Sequence, residues 1–180
     1  MTLLGVIAFV FGLLGVWLTI KQNILCWPVA IVAVIASIVE FYEQRLFGDM
    51  ALQVFYFFAA VYGWIFWNQH KEAGFIITRI SKKRWPALIV ITGVQSVVYY
   101  FLLSYFKGDQ VLFDAILTAA SLTATYMMTR KWLENWAAWV LIDFAYVFLY
   151  GIKRMWLFAL LYLLFAVIAF YGWIKWRKTV

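Results

Sequence analysis

The sequence predicts an all-α membrane protein with seven transmembrane helices in a three, one and three order, the two triplets being parallel repeats. Three observations support this fold class. The chain of 180 residues is 67% hydrophobic and only 13% charged, whereas soluble domains carry about 25% charged residues. Apolar runs long enough to cross a bilayer, about 20 residues each, recur along the chain. A motif near residue 62 is also repeated 109 residues later.

The repeat is visible without gaps. Residues 62–67 read YGWIFW and residues 171–176 read YGWIKW, and at the same offset Trp27 aligns with Trp136. This register predicts repeat one at 3–68 and repeat two at 111–176, joined by a linker helix at 86–106. Each repeat holds an odd number of spans, so the linker helix lets both copies point the same way across the membrane.

The seven predicted spans follow the apolar runs. They are residues 3–20, 27–46, 50–68, 86–106, 111–129, 136–152 and 155–175. Pro28 and Pro86 fall in the first turn of a span, where a missing N–H is harmless. No basic segment precedes the first run, so we interpret it as a retained span and not a cleavable signal peptide.

The Lys and Arg residues are unevenly distributed between the two predicted sides of the membrane. Eleven of the fifteen fall on the side of the C-terminus and of the long loop between spans 3 and 4. These eleven are Lys21, Lys71, Arg79, Lys82, Lys83, Arg84, Arg130, Lys131, Lys175, Arg177 and Lys178. The positive-inside rule therefore predicts a cytoplasmic C-terminus and an external N-terminus. Because these cations lie in short loops between apolar runs, the net charge of +7 does not indicate nucleic-acid binding.

The sequence lacks the usual motifs of catalysis and of metal binding. One cysteine, Cys26, and one histidine, His70, leave no multi-thiolate or multi-histidine metal site. No P-loop, GxSxG or HExxH motif is present. We therefore expect no enzyme activity, no cofactor, no metal and no transport driven by nucleotide hydrolysis within this chain.

Asp143 is the most informative polar residue inside a predicted span. It shares a helical stripe with Trp139, Tyr146 and Tyr150, and a carboxylate in a span normally faces a cavity or a partner. An anion flanked by aromatic rings suits a cationic, partly aromatic ligand. In the alternative interpretation, Asp143 pairs with a neighbouring side chain and only holds helices together.

Span 5 carries a second polar stripe. Asp114, Thr118, Ser121 and Thr125 follow helical spacing on one face. Thr118 is a candidate contact with a substrate, while Ser121 and Thr125 are better explained by close helix packing. Asp114 is near the outer end and is interpreted as a helix cap.

Two further pairs are candidates for substrate contacts, Gln53 with Tyr56 in span 3 and Gln95 with Tyr99 in span 4. A glutamine inside a span needs partners for both ends of its amide. A polar ligand or a neighbouring helix could supply them, and the sequence leaves both open.

Other features of the spans favour structural roles. Glu40 and Glu43, near the outer end of span 2 and close to Arg45, are interpreted as an entrance or a structural ion pair and not as a proton relay. The glycines of the two YGW motifs indicate close backbone approach. The tryptophans that follow these glycines are expected to anchor the membrane interface.

Taken in order, these motifs resemble the PnuC family of bacterial vitamin transporters. The matching features are Trp27-Pro28, Gly48-Asp49, Gln53-x-x-Tyr56, Asp114 with Thr118 and Ser121, Glu134-Asn135-Trp136-x-x-Trp139-x-x-x-Asp143 and both YGW motifs. The resemblance implies a three-one-three fold related to that of SWEET sugar transporters. It also places the family's Trp-x-x-x-Asn ligand motif on Trp139 and Asp143, with Asp replacing Asn, and its glutamine contact on Gln53.

The resemblance implies uptake of nicotinamide riboside across the bacterial inner membrane by facilitated diffusion, with a cytoplasmic kinase trapping the vitamin. Uptake of thiamine or riboflavin by the same mechanism is the alternative. A small polar-solute channel or a non-transporting membrane scaffold is the second alternative. The sequence leaves the oligomeric state open, a homo-oligomer included.

Overall fold

The structure, a computed structural model, describes residues 2–44, 47–71, 75–105, 111–152, 154 and 156–180. In that part of the chain the regular structure consists of seven α-helices and one short 3₁₀ turn. The helices are α1 (Leu3–Ile20), α2 (Cys26–Glu43), α3 (Phe47–Gln69), α4 (Trp85–Tyr105), α5 (Val111–Thr129), α6 (Glu134–Ile152) and α7 (Trp156–Arg177). Each observed helix end lies within three residues of the predicted one. The ends predicted at residues 46 and 106 and the start predicted at 155 lie outside the described residues.

Most of these helices can cross a membrane, judged on length and composition. Six segments of the described chain meet that requirement, one each in α1, α2, α4, α5, α6 and α7. α3 is 23 residues long, or about 35 Å at 1.5 Å per residue, but it includes Asp49, Gln53 and Asn68 and is not among the six. Its crossing of the membrane stays a prediction.

The chain divides into two compact units, residues Met1–Phe75 and Ile76–Val180. In the first unit α2 packs against both α1 and α3. In the second unit α6 packs against both α5 and α7, and α4 packs against α5. The predicted linker helix therefore belongs structurally with the second triplet. The parallel relation of the two triplets stays a prediction.

The turn between α1 and α2 recurs between α5 and α6. Gln22 and Lys131, 109 residues apart, both have a left-handed backbone, with φ of 54° and 52°. The Gln22 N–H donates to the Thr19 carbonyl at 2.9 Å, and the Lys131 N–H donates to the Met128 carbonyl at 3.0 Å. Such left-handed residues end helices by satisfying their last carbonyls. The two turns thus share a backbone conformation, as the repeat predicts.

A tryptophan pair is also repeated in the two triplets. Trp27 of α2 packs edge-on against Trp67 of α3, with ring centroids 5.4 Å apart and an interplanar angle of 89°. Trp136 of α6 packs against Trp176 of α7 at 5.3 Å and 88°. Edge-to-face geometry is favoured because the positive ring edge meets the negative face. The second and third helices of each triplet are held by the same contact.

The glycine of each YGW motif makes room for this pair. A Cβ added at Gly172 would lie 2.8 Å from Cδ2 of Trp136, and one added at Gly63 would overlap the ring of Trp27. The predicted close approach is therefore confirmed. The interfacial role expected for Trp67 and Trp176 is wrong, because these side chains are only 4% and 1% exposed and fill the space beside the glycines.

Part of the long basic loop is ordered against the second unit. The Thr78 N–H donates to the Lys131 carbonyl at 3.1 Å, and the Leu133 N–H donates to the Thr78 carbonyl at 2.9 Å. The Ile80 N–H donates to Oε2 of Glu134 at 3.0 Å. The loop then forms a 3₁₀ turn, Lys82–Arg84, that leads directly into α4. We call this segment the basic turn.

Candidate functional site

Asp143 lies at the middle of α6, nine residues from either end. Its side chain is 5% exposed, and no hydrogen bond or ion pair to its carboxylate is found among the described residues. Burial of an unpaired charge is costly, so such a group normally has a partner. The helix-holding interpretation and the ligand interpretation of Asp143 both stay predictions.

Three stacked tyrosine rings continue the face of α6 that carries Asp143. Tyr146 of α6 stacks on Tyr162 of α7 with centroids 4.5 Å apart and an interplanar angle of 25°. Tyr150 of α6 stacks on Tyr162 at 5.4 Å and 17°. Tyr146 and Tyr150 are 6.1 Å apart and inclined by 23°. We call these three residues the tyrosine stack. Its three rings are nearly parallel, and its member Tyr146 lies one helical turn from Asp143.

Trp139 begins this face one turn before Asp143 and is half-buried. The order along α6 is therefore an indole, a carboxylate and two phenol rings at successive turns. Such an arrangement can attract a cation electrostatically and hold a planar ring by stacking or cation–π contact. The described residues contain no group of three or more His, Cys, Asp or Glu side chains that could hold a metal ion.

The polar stripe of α5 is mostly engaged in packing. Thr118, Ser121 and Thr125 are all buried, and the Thr125 hydroxyl donates to the Ser121 carbonyl at 2.9 Å. Asp114 lies in the first turn of α5, where the helix dipole favours a carboxylate. α5 packs against α6, the helix that carries Asp143. A contact between Thr118 and a substrate stays a prediction.

Gln95 and Tyr99 join α4 to α5. The Thr123 hydroxyl donates to Oε1 of Gln95 at 3.3 Å. Tyr99 is buried against Ala115 and Ala119. These contacts match the packing interpretation of the pair. A substrate contact for either residue stays a prediction.

The predicted site residues of the first unit are Gln53 and Tyr56, both half-buried on α3. Their contribution to the same site as Asp143 stays a prediction. Glu40 accepts hydrogen bonds from the Thr2 hydroxyl and from the Gln44 amide, which ties the end of α2 to the N-cap of α1. Arg45, the expected neutralising partner, lies outside the described residues.

Tyr162 is the site residue that the sequence analysis missed. It lies in an apolar run and carries no motif of its own. The repeat register could have found it, because Tyr162 follows Gln53 by 109 residues, just as Phe165 follows Tyr56. The α3 positions selected as ligands thus have counterparts in α7, one of which is in the tyrosine stack.

Comparison with known proteins identifies the family. The family model described as "Nicotinamide mononucleotide transporter" matches residues 2–178. The chain belongs to this family. It is a transporter family, so the predicted resemblance, the multi-pass membrane character and the transport function are confirmed.

Three known transporters are similar to this chain over most of its length. It is similar to the nicotinamide riboside transporter PnuC of Escherichia coli, with 26% identity over 93% of this chain and 82% of that protein. It is similar to the PnuC of Neisseria mucosa, with 21% identity over 98% of this chain and 73% of that protein. The riboflavin/roseoflavin transporter RibM of Streptomyces davaonensis is 27% identical over 74% of this chain and 65% of that protein.

A solved structure supports the fold. The crystal structure of the vitamin B3 transporter PnuC superposes with a TM-score of 0.78 at 21% sequence identity, covering 98% of this chain and 81% of that one. The predicted all-helical membrane fold is therefore confirmed. At this level of identity the match concerns the fold and not the ligand.

Proposed function

We propose that the protein carries nicotinamide riboside across the bacterial cytoplasmic membrane by facilitated diffusion. The observation that supports this most strongly is the buried Asp143 carboxylate, which has no partner among the described residues and lies one turn from the tyrosine stack. Nicotinamide riboside has a positively charged, planar pyridinium ring. Asp143 would be its counter-ion, and the tyrosine stack and Trp139 would contact the faces of the ring.

The same chemistry favours the riboside over the mononucleotide that gives the family model its name. A phosphate group adds negative charge, which the Asp143 carboxylate would repel in a site of low dielectric constant. The riboside replaces that phosphate with a neutral hydroxyl. The PnuC relatives named above are described as transporters of the riboside, which supports this choice.

Net uptake needs a step that removes the vitamin on the inner side. The chain has no nucleotide-binding motif, so we propose that a cytoplasmic kinase phosphorylates the riboside and prevents its return. The proposed orientation places the N-terminus outside and the C-terminus in the cytoplasm, supported by the eleven-to-four distribution of Lys and Arg.

Two other vitamins are candidate substrates. Thiamine also carries a fixed positive ring and would use Asp143 in the same way. Riboflavin is uncharged, but its large planar ring suits the tyrosine stack, and the relative RibM is described as a riboflavin transporter. Asp143 favours a cationic vitamin, which ranks riboflavin below the other two.

Equilibrium binding to the purified protein tests the proposal. Nicotinamide riboside, nicotinamide mononucleotide, thiamine and riboflavin are titrated against the same sample. We expect the riboside to bind most tightly and the mononucleotide at least tenfold more weakly. Tighter binding of thiamine or riboflavin would replace the proposed substrate, and tighter binding of the mononucleotide would contradict the counter-ion role of Asp143.

A further inference from the structure

A groove of about 480 Å³ lies in the second unit between α4, α5 and α6. At one end it is bordered by Trp85 and Glu134, the first residues of α4 and α6. It reaches Ser96 on α4 and Ile142 on α6. It does not include the tyrosine stack, so it is distinct from the proposed vitamin site.

The wall of this groove is almost entirely hydrocarbon. Its hydroxyl groups are already bonded within the protein: Thr92 donates to the Leu88 carbonyl at 2.8 Å, and Ser96 donates to the Thr92 carbonyl at 2.8 Å. The hydroxyl oxygens of Thr92 and Thr123 are also 2.8 Å apart, within hydrogen-bonding distance of each other. Because these groups are engaged, the groove suits an apolar occupant and not a polar solute.

The length of the groove matches one leaflet of a bilayer. From Trp85 to Ser96 the wall of α4 rises through eleven residue steps, or about 16 Å at 1.5 Å per residue. The hydrocarbon core of a bilayer is about 30 Å thick. A groove that starts at the beginning of α4 therefore ends near the middle of the bilayer. An acyl chain of one leaflet has this reach.

A positively charged segment leads directly into the mouth of the groove. The basic turn, Lys82–Arg84, immediately precedes Trp85, and its three side chains are exposed. The Arg84 guanidinium lies 5.2 Å from the ring centroid of Trp132. Trp132 in turn packs with Leu88 and Met127, which line the groove.

One carboxylate also lies at the mouth. Glu134 accepts a hydrogen bond from the Ile80 N–H through Oε2, so part of its charge is engaged by the backbone. The three cations of the basic turn, which is next to Trp85 in the chain, outnumber this carboxylate. A phosphate at this position would complement the charge while its acyl chain enters the apolar groove.

We infer that the groove between α4, α5 and α6 binds one anionic glycerophospholipid, with an acyl chain along α4 and the phosphate at the basic turn. The three observations behind it are the hydrocarbon wall, the one-leaflet length and the basic turn that leads into the mouth. None of them depends on the identity of the transported vitamin.

The test measures lipid binding to the purified full chain in detergent by native mass spectrometry. Phosphatidylglycerol is compared with phosphatidylcholine carrying the same acyl chains, and glycerol phosphate is added as a headgroup without chains. We expect phosphatidylglycerol to bind at least tenfold more tightly than phosphatidylcholine, and glycerol phosphate not to compete. Equal binding of the two lipids would overturn the inference.

Two variants separate the two halves of the site. Lys82→Gln, Lys83→Gln and Arg84→Gln together remove the cations, and we expect phosphatidylglycerol binding to fall roughly tenfold or more. The matched control replaces Lys175, Arg177 and Lys178 with Gln, which removes the same charge from the exposed end of α7 and should leave binding unchanged. Equal losses in both triple variants would mean a general charge effect and would contradict a site at the basic turn.

Gly93→Phe fills the groove directly, because Gly93 lines it and a Cβ there meets no atom within 4 Å. Gly12→Phe on α1 is the control, since its Cβ also meets open space. We expect loss of phosphatidylglycerol binding only in Gly93→Phe. The melting temperature measured without added lipid should be unchanged in both variants. Unchanged lipid binding in Gly93→Phe, or a second copy of the chain covering the groove so that no lipid binds, would overturn the inference. If Gly93→Phe does not fold, the exposed basic-turn variant decides alone.

Discussion

The two helical triplets share their packing and differ in their buried chemistry. In both, a tryptophan pair packs edge-on beside a glycine, and the ring centroids are 5.4 and 5.3 Å apart. Among the described residues of the first unit, Thr19 is the one buried polar side chain. The second unit buries Thr118, Ser121, Thr125, Thr129, Lys131, Asn135 and Asp143. Duplication has preserved the scaffold, while polar groups are buried mainly in one copy.

The 109-residue register shows which single positions differ between the two triplets. Asp143 is equivalent to Val34, Tyr146 to Ser37, and Tyr162 to Gln53. The carboxylate and the ring of Tyr146 therefore have no chemical counterpart in α2. We conclude that Asp143 and Tyr146, both proposed to contact the ligand, are specific to the second copy.

The largest effect is expected at the shared packing contact. Gly63→Ala and Gly172→Ala place a methyl group against Trp27 and Trp136, respectively, and overpacking typically costs about 1–3 kcal/mol. We expect both variants to melt at lower temperature than the parent in the same detergent, with Gly63→Ala the more affected because its Cβ would lie closer to the ring.

Gly12→Ala is the control for both, because a Cβ at Gly12 meets no atom within 4 Å. Alanine favours a helix over glycine by about 1 kcal/mol, so this variant should melt at the same or a higher temperature. If Gly63→Ala and Gly172→Ala also melt no lower than the parent, the equivalence of the two triplets does not rest on this contact.

The second effect concerns Trp139, which has Ala30 as its counterpart in the first triplet. Trp139→Ala removes an aromatic wall beside Asp143, and we expect affinity for nicotinamide riboside to fall roughly tenfold, from lost ring area and stacking. Phe144→Ala is the control on the same helix, since Phe144 is 53% exposed. Equal losses of affinity, measured by titration calorimetry, would count against a specific role for Trp139.

A smaller effect is expected at Tyr162, the counterpart of Gln53. Tyr162→Leu removes the ring shared by Tyr146 and Tyr150, and aromatic pairs contribute about 0.5–1.5 kcal/mol beyond their buried area. We expect affinity for the riboside to fall severalfold in Tyr162→Leu. Tyr162→Phe keeps the ring and should bind the riboside as tightly as the parent does. Failure of Tyr162→Phe to restore binding would shift the role from the ring to the hydroxyl.

The smallest effect is expected at Thr125. Its hydroxyl bonds to the carbonyl of its own helix, so Thr125→Val should leave riboside affinity unchanged and alter the melting temperature only slightly. Thr118→Val provides the comparison, because Thr118 is a predicted substrate contact. If riboside affinity falls in Thr118→Val and is unchanged in Thr125→Val, Thr118 contacts the substrate and Thr125 serves helix packing.

Much of the fold was predictable because it is set by local composition. Apolar runs defined the helices to within three residues, and the left-handed turns at Gln22 and Lys131 lie 109 residues apart, in agreement with the repeat register. The docking of Thr78 beside Lys131 was not predictable, because it depends on backbone hydrogen bonds between distant segments. The burial of Trp67 was also missed, since an interfacial and a packed tryptophan look alike in sequence.

The candidate site was predictable only in part. Asp143, Trp139 and Tyr146 follow from helical spacing on one segment. Tyr162 comes from another helix, and its ring stacking depends on how α6 and α7 pack. The pairing of Gln95 with Thr123 likewise required the packing of α4 on α5, which no single-helix pattern contains.

Asp143 is proposed to be the counter-ion of a cationic vitamin. The most direct test measures nicotinamide riboside affinity and thermal stability on the same purified sample of Asp143→Asn. The amide keeps the shape and removes the charge, which is worth about 1–3 kcal/mol over a neutral hydrogen bond. We predict that affinity falls roughly 10- to 100-fold while the melting temperature stays at or above that of the parent. Unchanged affinity together with a lowered melting temperature would contradict the account and assign Asp143 to helix packing.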